Sequence, residues 1–371
     1  MIYFDNAATT YKKPKSVLKE ISECLSLYGG NPGRSGHTLS IKASEKVYSV
    51  REKIGRLLSY EHPERISFTH NATYALNAAI FGLVRKKCHV LISDIEHNSV
   101  LRPIYKLSYE LGVEYSIFKS AAQNLTEEIE RHLRPDTEFI ICTLASNVTG
   151  KEIPLKTLFH IKKKHQLKLI VDASQILGHK KLDLGRYPCD ALCAPGHKAL
   201  FGIAGCGFSV YGRNAIPEPI VLGGSGNESR NPFMPEHLPE RLEAGTLPTP
   251  SIAALGAGID FINSVGIEEI EKKLTDLTYL TTEMLGDISG IRIYGGNCGT
   301  VAFNLYDLPP EDIVACLNDH GILSRGGLHC APLAHSTLGT LEKGSVRISY
   351  SYFNKPKEIE KLYKVLKEIK R

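Results

Sequence analysis

No apolar run in this chain reaches the roughly 18 residues that a membrane-spanning helix needs. The N-terminus, Met1-Ile-Tyr-Phe-Asp-Asn, also lacks the basic stretch and apolar core of a secretory signal. The two absences set the expectation of a cytoplasmic protein with no membrane role. Regularly spaced cysteine is missing too. The nine cysteines are an odd number, and Cys189 and Cys193 are too far apart for the two-residue gap of redox and zinc motifs, so a disulfide framework is not expected. Charge of one sign is scarce, with a formal net charge of +5. Many of the lysines fall in the last segment, where Ile359, Leu362, Val365, Leu366 and Ile369 recur at helical spacing. Those cations read as the solvated face of an amphipathic helix. A nucleic-acid binder would carry a concentrated basic patch with stacking aromatics, and none is evident. Low-complexity stretches and internal repeats are absent as well.

What is present is an ordinary globular composition, 42% hydrophobic and 23% charged over 371 residues, which suits one large domain plus a smaller one. Between about 60 and 212, short apolar runs alternate with helical patterns. Arg65-Ile-Ser-Phe-Thr, Cys88-His-Val-Leu-Ile-Ser, Glu138-Phe-Ile-Ile-Cys-Thr-Leu and Leu167-Lys-Leu-Ile-Val read as buried strands. Thr73–Val84, Val100–Leu111 and Pro154–His165 read as helices between them. That alternation implies crossover units and a largely parallel sheet covered by helices, in which ligands sit beyond the carboxyl ends of the strands. Asn71–Thr73, His97, Asn147 and Asp172 all follow strand ends and are expected to face one crevice. Gly223–Pro250 is too long for a plain turn and reads as a functional or partner-contacting loop. Helices are expected over Ser251–Ser264 and Glu268–Gly286, with a domain boundary near 250–265 and an α+β lobe beyond.

Lys198 lies between an apolar run and a Gly-rich stretch, in Ala194-Pro-Gly-His-Lys-Ala-Leu-Phe-Gly202. A desolvated amine there has a lowered pKa and can form a Schiff base with an aldehyde. Leu167-Lys-Leu-Ile-Val-Asp172 ends an apolar strand on a carboxylate. An amine for the aldehyde and an anion for the ring nitrogen are the two groups that pyridoxal 5'-phosphate requires of a protein. Taken singly, each has a plainer reading, a surface lysine and a helix cap. Their conjunction carries the argument.

Other segments add to it, each with a plain alternative. Thr69-His-Asn-Ala-Thr follows a strand and opens a helix, so free amides there, with the Thr73 hydroxyl, can bind phosphate, or Asn71 can be a simple N-cap. His97 can stack on a flat ring and move protons, or be a loop residue without a role. Asn147 can bond a phenolic oxygen or a carboxylate, or serve the turn. Ser324-Arg-Gly-Gly-Leu-His-Cys-Ala-Pro332 places Cys330 near Arg325 and His329, as suits a nucleophilic thiol or a structural one. His329, Cys330 and His335 match no metal spacing, and no metal is expected. Arg347, at the start of a strand, can hold a carboxylate in bidentate fashion or form a surface ion pair.

In this order the segments resemble the class V, fold-type I pyridoxal-phosphate enzymes, and within them the cysteine desulfurases. The resemblance runs nearly end to end, through Tyr3-Phe-Asp-Asn-Ala-Ala-Thr-Thr10, Asn31-Pro-Gly-Arg-Ser-Gly-His-Thr-Leu-Ser40, Glu96-His97-Asn98, Asp172-Ala-Ser-Gln175, Gly196-His-Lys198, Arg241-Leu-Glu-Ala-Gly-Thr246 and the Arg325 to Pro332 loop. It implies an α/β fold with a mostly parallel sheet in a large domain, residues 15–255, and a smaller α+β domain formed by 256–371 with 1–14. It implies that Lys198 carries the cofactor, Asp172 pairs with its ring nitrogen, Gln175 bonds its ring hydroxyl and His97 stacks on its face. Asn71, Ala72, Thr73, Ser174 and His197 would surround the phosphate, with Thr246 reaching the site of a neighbouring subunit in a homodimer. Asn147 and Arg347 would hold the substrate carboxylate, Arg34, His37 and Arg325 would line the substrate side, and Cys330 would take the sulfur. The short loop resembles the group II desulfurases, which often use a separate sulfur-acceptor protein. Gly33, Leu328 and Pro195 stand where that group's pattern has His, His and Ser, and the last change removes one phosphate contact. The expected reaction converts L-cysteine to L-alanine and leaves a persulfide on Cys330. The alternatives are selenocysteine lyase, a class V aminotransferase or another lyase using the same cofactor.

Overall fold

The computed structural model describes residues 1–33 and 36–369. In chain order the elements are β1 (Ile2–Tyr3), α1 (Lys15–Leu27), α2 (Thr38–Leu57), β2 (Ile66–Thr69), α3 (Ala72–Leu83), β3 (His89–Ser93), α4 (Asn98–Leu111), β4 (Glu114–Phe118), α5 (Leu125–Arg131), β5 (Thr137–Thr143), α6 (Leu155–His165), β6 (Lys168–Asp172), β7 (Ala191–Pro195) and β8 (Gly207–Tyr211). After a long irregular segment come α7 (Thr249–Val265), α8 (Ile267–Gly286), β9 (Ile291–Asn297), β10 (Thr300–Leu305), α9 (Pro310–Asp319), β11 (Ile322–Leu323), α10 (Pro332–Leu338), β12 (Val346–Ser349) and α11 (Pro356–Glu368).

Seven strands form one sheet in the order β2-β8-β7-β6-β5-β3-β4. Only β8 runs against the others, pairing antiparallel with both β7 and β2. The apolar runs are continuous because both faces of this sheet are covered. Val90 and Ile92 on β3, Phe139 and Ile141 on β5, and Ile170 on β6 pack in one cluster with α3 and α4. Their alternating neighbours Leu91, Ile140, Cys142, Leu169 and Val171 point into the other, larger cluster, as the two-residue period of a strand requires. That larger cluster continues into the second lobe through Val301, Phe303, Ile359 and Leu362. This lobe is built on the antiparallel sheet β12-β10-β9 and on α8, α9 and α11.

The N-terminal segment joins this second lobe. β1 pairs in parallel with β11, and Asp5 bridges to Ser349. The expected division between residues 255 and 256 falls inside α7, a single helix from Thr249 to Val265. Its core-facing residues are apolar or small along its whole length, so no local signal breaks it at that point. In α11, Ile359, Leu362, Val365 and Leu366 are buried as the spacing required. No single helix among the described residues is long and apolar enough to cross a membrane.

Gly258 on α7 shows how closely the elements approach. A Cβ there would collide with the carbonyl of Leu200, two residues beyond Lys198. Gly258→Ala is expected to destabilise the fold by roughly 1–3 kcal/mol through overpacking and to displace the Lys198 loop. Chemical denaturation, read beside cofactor retention, checks both effects.

Candidate active site

The carboxyl ends of β2, β3, β5, β6 and β7 open on one side of the sheet, and a cavity of about 100 Å³ lies there. Asn71, Ala72, Thr73, His97, Asn147, Asp172, Ser174, Gln175, His197 and Lys198 all line it. The sheet order explains the convergence, because each residue ends its own strand or follows it by only a few positions.

Asn71 has an extended backbone and caps α3, its side-chain oxygen accepting from the Tyr74 amide at 2.9 Å. This leaves the first-turn amides of Ala72 and Thr73, which have no intrahelical acceptor, beside the cavity that both residues line. The positive end of the α3 dipole falls at the same place. His97 caps α4 in the same manner, its Nδ1 accepting from the Ser99 amide at 3.0 Å. Both helices therefore begin slightly earlier than the apolar spacing alone indicated, because their capping side chains recruit the preceding residues. Ser99 links the starts of the two helices, its hydroxyl lying 2.9 Å from His97 Nδ1 and 2.8 Å from Thr73 Oγ1.

Asp172 is buried at the end of β6 and accepts from the Ser174 amide at 2.8 Å. Lys198 reaches the same cavity. Burial lowers its pKa to about 8, although the Asp172 charge works in the opposite direction. Burial likewise pushes His97 down to about 4, as do the charges of Lys198 and Arg325 against the opposing pull of Asp172, so its imidazole is neutral at physiological pH. The Lys198 turn is held from the N-terminal segment. Thr10 donates to the Lys198 carbonyl at 2.8 Å, and Lys13 donates to the His197 carbonyl at 3.0 Å. Gln175 donates to the Ala7 carbonyl at 3.0 Å. The Tyr3 to Thr10 motif therefore acts as a strap across the site.

Some expected residues lie elsewhere. Arg347 is buried and does not line the cavity. Its guanidinium pairs with Asp5 at 2.6 Å and donates to the Asn147 carbonyl at 2.9 Å, while its Nε has no partner among the described residues. Asp5 was not singled out in the sequence, and the only signal was its place in the N-terminal motif. His37 caps α2 through an acceptor bond from the Ser40 amide, away from the cavity lining. Thr246 is exposed and remote from the cavity lining of its own chain. Arg34 lies outside the described residues. Arg325 pairs its backbone with that of Arg347 in an isolated antiparallel bridge.

Cys330 is the one exposed cysteine among the described residues, and six of the others are buried. It lines a separate groove, which shares Thr73, His97 and Ser99 with the cavity. Its loop is held by hydrogen bonds that include one from the Asn98 amide to the Cys330 carbonyl at 2.8 Å and one from the Asn147 side chain to the His329 carbonyl at 2.7 Å. His329 and Cys330 have φ of 50° and 57°, two successive non-glycine residues in left-handed conformation. Strain of this kind persists only where surrounding contacts enforce it. Glu96 was noted only as part of a motif, yet it is fully buried behind Asp172. It accepts from the Thr143 amide at 2.9 Å and from the Ser93 hydroxyl, and burial raises it to about 8. Among the described residues no cluster of His, Cys, Asp and Glu could hold a metal ion.

The sequence pattern of the family described as aminotransferase class-V matches residues 2–362. A probable cysteine desulfurase of Methanothermobacter thermautotrophicus is 32% identical, with 99% of this chain and 94% of that protein aligned. A probable cysteine desulfurase of Halalkalibacterium halodurans is 30% identical over 100% of this chain and 93% of its own length. The apo structure of a cysteine desulfurase from Thermococcus onnurineus superposes with a TM-score of 0.91 at 29% identity, covering 99% of this chain and 94% of that one. With the family pattern spanning almost every residue and the fold matching throughout, this chain belongs to the class-V aminotransferase family.

Proposed function

We propose that this protein is a pyridoxal-phosphate-dependent cysteine desulfurase, converting L-cysteine to L-alanine and storing the sulfur as a persulfide on Cys330. The observation that carries the reading is one cavity lined by Lys198, Asp172 and His97, adjoining a groove that holds an exposed thiol.

The residues fit the cofactor. A lowered-pKa amine, a buried carboxylate and a helix N-terminus with free amides surround one space, and Asn147 Oδ1 is buried beside it without a partner among the described residues. Lys198 would hold the aldehyde end, Asp172 the ring nitrogen, Gln175 the ring hydroxyl, and Asn71, Ala72, Thr73, Ser174 and His197 the phosphate. When bound, the group supplies an aldehyde for the substrate amine and a ring that absorbs electrons. The chain supplies the rest. Lys198, with its pKa near 8, takes and returns a proton at its Nζ close to neutral pH. Asp172 would set its carboxylate opposite the ring nitrogen. The neutral His97 imidazole offers a flat face. The Cys330 thiolate attacks the substrate sulfur, the carbon–sulfur bond breaks, and the β-carbon takes a proton. The balance is one enzyme thiol plus L-cysteine giving one enzyme persulfide plus L-alanine.

Asn147 would donate to the substrate carboxylate only by releasing its side-chain amide from the His329 carbonyl, and by the resemblance Arg325, Arg34 and His37 would line the substrate side. Arg347 would reach a carboxylate only by exchanging its Asp5 partner. Residues 1–14 with 256–371 would form a smaller domain beside 15–255. Ile216, Leu222 and Phe233 are 69%, 73% and 80% exposed on the segment that leads to Thr246. Apolar side chains exposed to that degree suit burial against a second copy, which would bring Thr246 to the neighbouring site. A cytoplasmic location accords with this chemistry, since a free thiol must stay reduced.

Cys330→Ala is expected to abolish sulfide and alanine release from L-cysteine while retaining the cofactor's visible absorbance. Equal rates in variant and wild type would overturn the reading of Cys330. Absorbance without alanine from L-cysteine would move the substrate assignment to another amino acid.

A further inference from the structure

The thiol of Cys330 opens on a groove of about 500 Å³, outside the cofactor cavity, between α3 and α4. Its floor is apolar, from Phe81 and Pro103, and one wall carries Arg102 and Lys106. These two cations stand one helical turn apart on α4, both exposed, so they present to the same side. No Asp or Glu lines the groove. Arg102 forms no ion pair among the described residues. Lys106 meets only Glu110, one turn further along the surface, and exposed pairs of this kind contribute little and yield readily to a better partner.

The loop is tied to the elements around it. The Cys330 carbonyl is tied to the first amide of α4, the His329 carbonyl is tied to Asn147, and the preceding His329 ring is buried. A persulfide formed on Cys330 is therefore presented next to the Arg102 and Lys106 wall, where the positive field favours an approaching thiolate and any anion carried with it.

We propose that this groove docks an acidic protein segment bearing a cysteine, and that Arg102 and Lys106 recognise its carboxylates while its thiolate takes the outer sulfur from Cys330. This rests on the desulfurase reading of the same site. The transfer balances without another reagent. The incoming thiolate bonds the outer sulfur, the sulfur–sulfur bond to Cys330 breaks, Cys330 leaves as thiolate, and the persulfide passes to the partner. Phe81 and Pro103 fit the partner's apolar contact, and the cations set the direction of approach.

The test uses holoenzyme loaded with L-cysteine and freed of excess substrate. Two synthetic cysteine peptides serve as probes, one with the thiol flanked by Asp and Glu and one matched peptide flanked by Lys, with dithiothreitol as an uncharged reductant. Loss of persulfide from Cys330 is followed by mass spectrometry. The acidic peptide is expected to react about tenfold faster than the basic one at low salt, with the advantage shrinking as salt rises. The Arg102→Glu/Lys106→Glu variant is expected to erase or invert this preference while turnover with dithiothreitol is unchanged. Arg102→Gln/Lys106→Gln, a milder change, is expected to give an intermediate preference. Equal rates with the two peptides in the wild type, or a preference that survives the charge reversal, would overturn the docking proposal and leave the desulfurase reading intact. Failure of L-cysteine to load any persulfide onto Cys330 would overturn both.

Discussion

Lys198→Ala is expected to lower kcat by roughly 10³-fold or more, since it removes both the group that would anchor the cofactor and the positioned base. The variant should remain folded, because the Lys198 turn is held by the Thr10 bond to the backbone carbonyl and not by the amine. Wild-type activity is expected to rise as pH approaches about 8 from below, the range in which the buried amine gives up its proton. A steady-state pH profile, with the variant rescued partly by added small amines, would check this. A profile flat from pH 6 to about 9 would argue against Lys198 as the base.

The same amine has a stability consequence. An unfolded lysine keeps its proton up to 10.5, whereas the folded Lys198 releases it near 8. Between those values the unfolded chain binds more protons, so the stability of the cofactor-free protein rises with pH across that window. At or below pH 8 the cost of burying the charge is present in full. Lys198→Met therefore stabilises the cofactor-free protein at neutral pH, on the order of 1–3 kcal/mol, and the gain fades as pH climbs towards 10.5. Denaturant midpoints at pH 7 and pH 10 would separate this effect from simple repacking.

The second large effect is expected at Glu243. Its carboxylate takes both guanidinium nitrogens of Arg51, at 2.8 and 2.6 Å, and accepts from the Phe68 amide at 2.6 Å. Both side chains are buried, and the Arg51 guanidinium also lies 4.6 Å from the Phe68 ring centroid. This pair fastens the irregular segment before α7 to the edge of the sheet. Glu243→Ala leaves Arg51 buried and uncompensated, which typically costs about 3–5 kcal/mol. Equilibrium unfolding should show that loss, and the double variant Arg51→Leu/Glu243→Leu should recover much of it, because replacing both charges removes the penalty of the stranded one. A single variant as stable as the wild type would mean the carboxylate contributes nothing net. Since Thr246 follows Glu243 by three residues, cofactor affinity should fall along with stability.

Much of the large domain was legible in the sequence because both faces of its sheet are buried. Val90 to Ile92, Phe139 to Cys142 and Leu169 to Val171 have no polar interruption, and each run is followed closely by a residue suited to chemistry. The weaker readings came where contacts are distant in sequence. Asp5 meets Arg347 across nearly the whole chain, and nothing local to either residue announces the pair. His37, read as a substrate-side residue by resemblance, also caps α2 with its side chain.

Taken by itself, the sequence determined the strand and helix alternation, the convergence of Asn71, His97, Asn147 and Asp172 after strand ends, and the family. The alternation and the convergence follow from periodicity and local spacing, which act over a few residues, and the family follows from the resemblance of the ordered motifs. Tertiary structure decided what surrounds them. It placed Cys330 in a groove outside the cofactor cavity, enclosed Glu96 behind Asp172, and folded the N-terminal strap over the Lys198 turn. Those arrangements depend on which surfaces are left to pack once the sheet has formed, and burial, against the opposing charge of Asp172, then moves Lys198 from an ordinary amine to one that titrates near 8.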